Sequence, residues 1–254
     1  MQMLPREAKQ LMHGKFVLLP TTGIGSLAQL AVDLLVSTLR LSRLAVLHSE
    51  QLLPCVGNDA YSRQKGTLCS ELELYGSTTS EFICLQQRAP AATGRQQAFA
   101  EELCDFLQHL QPRQVLILGS LNAALRQDQH LGGPQVHILS TAQDTEGLLK
   151  AISLKQLEAA FLEANKTSEQ LLPPWPLWTL CSSHGLATVM LAAFCTEAVD
   201  AAEVESLAQK AIEAVHSLGC KLPDSVPCKD RAAEWLVPPS WAHLQGPSRP
   251  ELLY

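Results

Sequence analysis

Charged side chains are scarce in this chain of 254 residues: 19 Lys and Arg against 25 Asp and Glu leave a net charge of −6 and fill only 17% of positions. A soluble domain ordinarily carries about 25%. Aromatics are scarcer still, at 5%, although hydrophobic residues reach 46%. The apolar content is therefore mostly Leu, Ala and Val, enough for a large aliphatic core with fewer charges than usual to cover it. Each shortage excludes something. Scattered basic residues and a pI near 5.7 make a poor electrostatic footprint for nucleic acid or an anionic membrane. Low charge with high aliphatic content is also the opposite of a disordered composition.

Ligand spacings are missing too. The eight cysteines contain no C-x-x-C, and the eight histidines contain no H-x-H or H-E-x-x-H. Neither a zinc site nor a redox pair is expected. Cys84 and Cys195 lie in apolar runs and Cys104 shares a helical pattern with Leu103 and Phe106, so they read as reduced core cysteines of an intracellular protein. Met1 to Lys15 has no apolar run of signal-peptide length, so no secretory signal is expected. The sequon Asn165-Lys166-Thr167 is then silent. The longest uncharged stretch, Gln170 to Thr196, is interrupted by Pro173, Pro174 and Pro176 and by Ser182-Ser183-His184. What remains, Leu186 to Cys195, is about ten residues against the ~20 that a membrane span needs, and it reads as a buried helix.

What is present is an alternation of strand and helix patterns. Phe16 to Leu19 is a short buried strand bounded by Pro20. After the turn 21–26, Leu27, Leu30, Ala31, Leu34 and Leu35 recur at helical spacing, with Ser26 as N-cap. Asp33 is the only charge between Leu27 and Leu39, so this helix has almost no solvated face, the mark of a helix sandwiched in a core or docked on a partner. Leu44 to His48 reads as a second strand, which predicts a right-handed β-α-β unit with parallel strands. Leu72–Tyr75 and Phe82–Gln86 read as an antiparallel pair. A helix with Phe99, Leu103, Phe106, Leu107 and Leu110 on one face follows and ends at Pro112. Strands are expected at Val115–Leu118, Val136–Ser140 and Leu177–Leu180. Helices are expected at Leu154–Ala164, Leu186–Thr196 and Ala201–Leu218, the last closed by Gly219. The pattern predicts a three-layer α/β/α sandwich with a largely parallel central sheet. The expected organisation is one α/β domain over 1–220 and an extended tail over 221–254, where six prolines exclude long helices and central strands. Trp235 and Trp241 are the expected anchors of that tail.

The chemistry-bearing patterns are thin. Gly23-Ile24-Gly25-Ser26 between strand and helix suggests a phosphate cradle, with Ala28 at the last position of the looser dinucleotide fingerprint and Glu50 as the nearest acid for the ribose. A tight strand-to-helix turn explains the same residues. Ser120, His184 and Asp33 form a nameable triad, but the nucleophile elbow G-x-S-x-G is absent. Glu101-Glu102 falls on the wet face of its helix. No cofactor, metal or catalytic residue is therefore expected. A nucleoside-phosphorylase-like enzyme remains open on fold analogy alone, as does a generic interaction scaffold. The terminal Pro250-Glu251-Leu252-Leu253-Tyr254 places an apolar pair and a ring beside the α-carboxylate, a form that can insert into a pocket. A plain frayed terminus is the alternative.

Residues 16–39 resemble the opening of the proteasome assembly chaperone family. So do Leu52-Leu-Pro-Cys-Val-Gly-Asn-Asp-Ala-Tyr61, Ser70-Glu-Leu-Glu-Leu-Tyr75, Val237-Pro-Pro-Ser-Trp241 and the closing Leu252-Leu253-Tyr254. The resemblance implies a non-enzymatic protein of the cytoplasm and nucleus. It implies a heterodimer with proteasome assembly chaperone 1 that promotes formation of the α ring of the 20S proteasome and prevents off-pathway α-ring dimers. It also implies that Leu252, Leu253 and Tyr254 dock between α subunits, although Tyr254 is last where activator tails place tyrosine next to last. The uncharged helix, at Ala28, Val32, Leu35 and Leu39, and the apolar segment 186–196 are then the candidate heterodimer surfaces. On this reading the isolated chain is sticky.

Overall fold

The computed structural model describes residues 13–62, 66–77, 80–126, 135–141, 145–157, 161, 173–222 and 234–243. Strand β1 (Phe16–Pro20) is buried at every position. It leads through a 3-10 turn at Ile24–Ser26 into helix α1 (Leu27–Thr38). Strand β2 (Ser42–Leu47) follows, then a hairpin of β3 (Val56–Asn58) and β4 (Leu68–Ser70), and then β5 (Leu72–Gly76) and β6 (Phe82–Gln87). Helix α2 (Gln96–Leu110) precedes β7 (Gln114–Asn122) and β8 (Val136–Ser140). Helix α3 (Thr145–Ile152), strand β9 (Lys155–Gln156), helix α4 (Pro174–Ser183), strand β10 (Thr188–Cys195) and helix α5 (Ala201–Ser217) complete the order.

The sheet runs β2-β5-β6-β1-β7-β10-β8-β9. Its centre, β6-β1-β7-β10, is parallel, and the pairs β2–β5, β5–β6 and β10–β8 are antiparallel. One apolar core, with Leu18, Leu34, Leu191 and Ile212, joins one sheet face to α1, α3 and α5. The other, with Val17, Phe99, Leu107 and Leu177, joins the opposite face to α2 and α4. These are the three layers that the alternation predicts. Helix α2 buries the five residues expected of it. Helix α5 starts with a capping box, Asp200 and Glu203 bonding each other's backbone N–H, and Gly219 follows it at φ +84°, the left-handed value that favours glycine.

Four expectations change. Strand β2 does run parallel to β1, since two antiparallel steps restore direction, but β5 and β6 lie between them. It ends the sheet as an edge. Residues 177–180 are helical: Pro174 and Pro176 occupy the first turn of α4, where the N–H groups that proline lacks have no helical partner anyway. Residues 188–195 are strand β10, buried at all eight positions, because both its edges are paired and both its faces are covered. A continuous apolar run of this length fits a buried strand as well as a buried helix. Finally, part of the expected helix 154–164 is β9, and most of the remainder lies outside the described residues.

Candidate partner-binding surfaces

The turn at the end of β1 is shaped by packing. A Cβ on Gly23 would collide with Ser120 Oγ, and one on Gly25, which sits at φ +61°, would collide with Val199. Both glycines thus bring the turn against β7 and the segment before α5. Ser26 holds the N-cap position of α1 at φ 52°, and its side chain makes no cap hydrogen bond. Among the described residues the lining of the nearby cleft, with Thr21, Gln87, Phe99 and Leu103, includes none that is charged, so these residues offer a phosphate no cation. Asp33 belongs to the α1 side of the sheet. His184 contacts Cys104 Sγ on the α2 side, so no Ser–His–Asp triad forms. Among the described residues no cluster of His, Cys, Asp or Glu could hold a metal ion, and no helix is long and apolar enough to cross a membrane.

Helix α1 does not present a bare apolar face. Ala28, Val32 and Leu35 are at most 1% exposed, and Leu39 is half-buried against the same core. Helix α5 packs along α1, and the chain's own C-terminal segment closes over it. The Leu236 N–H donates to Thr38 Oγ1 at 3.1 Å and the Ser240 N–H to the Ala60 carbonyl at 3.3 Å. Trp241 is buried in that core and Trp235 packs against it. The absence of charge on α1 is thus explained within the chain. Within the segment 186–196, residues 188–195 form a central strand buried throughout and have no surface to offer either. Leu252, Leu253 and Tyr254 lie outside the described residues.

A buried ion network sits under α1. Asp33 Oδ1 accepts from the Tyr61 hydroxyl at 2.5 Å and from Gln86 Nε2 at 2.6 Å, with Arg88 Nη1 at 3.3 Å. Glu73, fully buried, takes Arg43 Nη1 at 2.8 Å, the Tyr75 hydroxyl at 2.8 Å and Arg88 Nε at 3.4 Å. Burial pushes the Tyr61 hydroxyl well above its usual pKa, and Asp33 adds to the rise. Burial opposes the Arg88 charge most strongly, but Asp33, Tyr61, Tyr75 and Cys69 together outweigh it and the guanidinium pKa is raised. Two carboxylates against two guanidiniums leave the cluster neutral, which lets it stay inside. Its effect is positional, since Tyr61 on the β3–β4 connection is pinned to α1, and Arg88 after β6 to both carboxylates. In the sequence only one signal pointed here, the single charge in an apolar helix.

Uncovered apolar side chains stand around the pinned connection, on β2, before β3, on β3 and on β4. Val46, Leu53, Val56 and Leu68, all within 46–68, are 51%, 48%, 72% and 56% exposed. In the hairpin register Val56 faces Ser70 and Asn58 faces Leu68, so Val56 and Leu68 share one face. Cys69 occupies the opposite, buried face, where its thiol donates to the Asn58 carbonyl. Arg43 Nη1 bonds the Leu68 carbonyl at 2.5 Å. At the other end the Leu53 N–H donates to the Pro90 carbonyl, and the Ala92 N–H to the Gln51 carbonyl. The apolar surface is therefore held on a fixed frame. Sequence reading passed over it because the four residues come from separate elements and no period marks them.

Comparison with known proteins adds a family and a set of relatives. Residues 17–237 match the model of the PAC2 family. The chain is 31% identical over 210 residues to proteasome assembly chaperone 2 of Nematostella vectensis, covering 76% of this chain and 86% of that protein. It is 23% identical over 254 residues to the protein of that name in Homo sapiens, covering 95% of each. Among solved structures, Pyrococcus furiosus PbaA, described as an archaeal homolog of proteasome-assembly chaperone, superposes with a TM-score of 0.60. It shares 15% identity, over 83% of this chain and 84% of that one. P. furiosus PbaB, described as an archaeal proteasome activator, gives 0.59 at 16% identity over 83% and 86%. At such identities the structural likeness speaks for the fold.

Proposed function

This chain belongs to the PAC2 family, and from that premise we infer that it is a non-enzymatic chaperone of proteasome assembly. The observation that carries the reading is the full-length likeness to proteins named proteasome assembly chaperone 2. The geometry agrees with a binding protein: among the described residues the cleft at the strand ends lacks a charged lining, while apolar side chains stand uncovered on the 46–68 region.

In its finer form, the chain pairs with proteasome assembly chaperone 1 in the cytoplasm and nucleus. The pair holds α subunits of the 20S proteasome as their ring closes and keeps finished rings from pairing with each other. Leu252, Leu253 and Tyr254 insert between α subunits, where a cation or a backbone nest takes the terminal carboxylate. The body contributes no catalytic group, and its buried ions hold the surface in place.

The test is a purification of the tagged chain co-expressed with proteasome assembly chaperone 1 and the α subunits. Recovery of a complex of both chaperones with α subunits is the expected result, with loss of α subunits but not of the partner chaperone when residues 252–254 are deleted. A chain that retains neither partner sinks the reading. Unchanged α-subunit recovery after the deletion removes only the role of the tail.

A further inference from the structure

We propose that the outer face of the β3–β4 hairpin, Val56 and Leu68 with the adjoining Leu53, is the body's docking surface for the protein that takes up the C-terminal tail. Under the proposed function, on which this inference rests, that protein is a proteasome α subunit.

The argument begins with charge. Residues 51–58 and 66–70 contain no Asp, Glu, Lys or Arg. Leu53, Pro54, Cys55 and Val56 are exposed in succession. Exposed strands are ordinarily protected from unwanted pairing by charge, proline or a covering element. Neither β3 nor β4 has a charge, and among the described residues the outer face has no cover. A surface of this kind, rigid and without charge, suits an apolar partner surface at the desolvated centre of an interface.

The occupant follows from where the chain leaves the body. The Ser240 N–H is bonded to the Ala60 carbonyl, two residues after Asn58 of β3, and Trp241 is buried beside it. The anchored C-terminal segment is therefore fixed at the loop end of the hairpin. Beyond His243 the sequence has eleven more residues, which reach about 40 Å at full extension. A protein that receives Leu252–Tyr254 must lie within that radius of the hairpin loop. The apolar hairpin face lies within that reach, as do the exposed Leu236 and Val237 of the anchored segment, and body and tail grip one partner. Two linked contacts then act with a raised effective concentration.

The deciding experiment uses the complex with proteasome assembly chaperone 1 and immobilised proteasome α rings as the probe. Wild type, the double variant Val56→Asp/Leu68→Asp, the milder Val56→Ser/Leu68→Ser and a deletion of 252–254 are compared. Both hairpin variants are expected to keep the chaperone pair and the unfolding midpoint. The Asp pair should lose about tenfold or more in α-ring affinity, as truncated interface centres do, and the Ser pair less. Two hairpin variants that bind the ring like wild type overturn the inference while the tail reading stands. Loss of the chaperone pair with ring binding kept also overturns it, by making the hairpin a chaperone–chaperone contact. A wild-type complex that binds no α ring overturns both readings together.

Discussion

Helix α1 has one charge in twelve residues and strands β3 and β4 have none, yet the helix is inside and the hairpin face stands in solvent. In composition the two regions are alike. What separates them is cover. Helix α5 and residues 234–243 close over α1, whereas the hairpin buries only its Cys69 side. A shortage of charge therefore signals that a surface is to be covered, and it does not say by what. The chain meets that need once within itself and leaves it open at the hairpin. Four of the exposed large apolar side chains gather around it, Leu125, Leu236 and Val237 being exposed elsewhere.

Four measurements would break or sharpen this contrast. The largest effect belongs to Val32→Asp, which puts an unpaired charge at a position with no exposure. A loss of at least about 4 kcal/mol in chemical denaturation is expected, and a folded, partner-deficient variant would return α1 to the list of interfaces. Next comes Trp241→Ala. Removing this buried ring should cost about 3 kcal/mol and raise amide exchange through α1, where the C-terminal segment lies. Exchange confined to 234–243 would mean that the segment only rests on the helix.

Alkaline titration probes the covered side specifically. Burial pushes the Cys195 thiol to about 11 and the Cys220 thiol to about 12, from an ordinary 9.0. Both belong to the core that holds α1. Raised folded values mean that the native state holds protons which the unfolded chain releases. Stability is therefore complete below pH 9 and falls as pH rises from about 9 to 12. A melting temperature that stays level across that window would deny these thiols their apolar surroundings. The smallest effect is that of Val56→Ser, which should leave unfolding within about 0.5 kcal/mol while reducing self-association of the isolated chain. A marked destabilisation would show that Val56 is packed within the fold.

Much of the fold could be read directly. Helix α2 shows its buried stripe at 3.6-residue spacing, α5 has its capping box and terminal glycine, and β1 and β7 are apolar runs bounded by turns. The failures are equally physical. Val189 to Cys195 is apolar at every position, so it has no period to tell a helix from a strand covered on both faces. Proline at 174 and 176 looked like helix breaking, but position within the first turn reverses its meaning. For the site the balance was poorer. The segments 52–61, 70–75 and 237–241 turn out to hold strand β3, the network members Tyr61, Glu73 and Tyr75, and the buried Trp241. Their mutual contacts, Ser240 to Ala60 or Tyr61 to Asp33, join residues far apart in the chain and leave no local pattern.

By itself the sequence determined that a large aliphatic core forms around alternating strands and helices, that Cys84, Cys104 and Cys195 sit in apolar patterns, and that some surface must be shielded from water. Those properties follow from composition and short-range periodicity, which act residue by residue. Only the tertiary structure decided which uncharged segment the chain covers for itself. That choice depends on α5 and residues 234–243 reaching α1 from the far end of the chain, and on a neutral cluster of four ions, two buried carboxylates with Arg88 and the more exposed Arg43, fixing the hairpin with its apolar face turned outward.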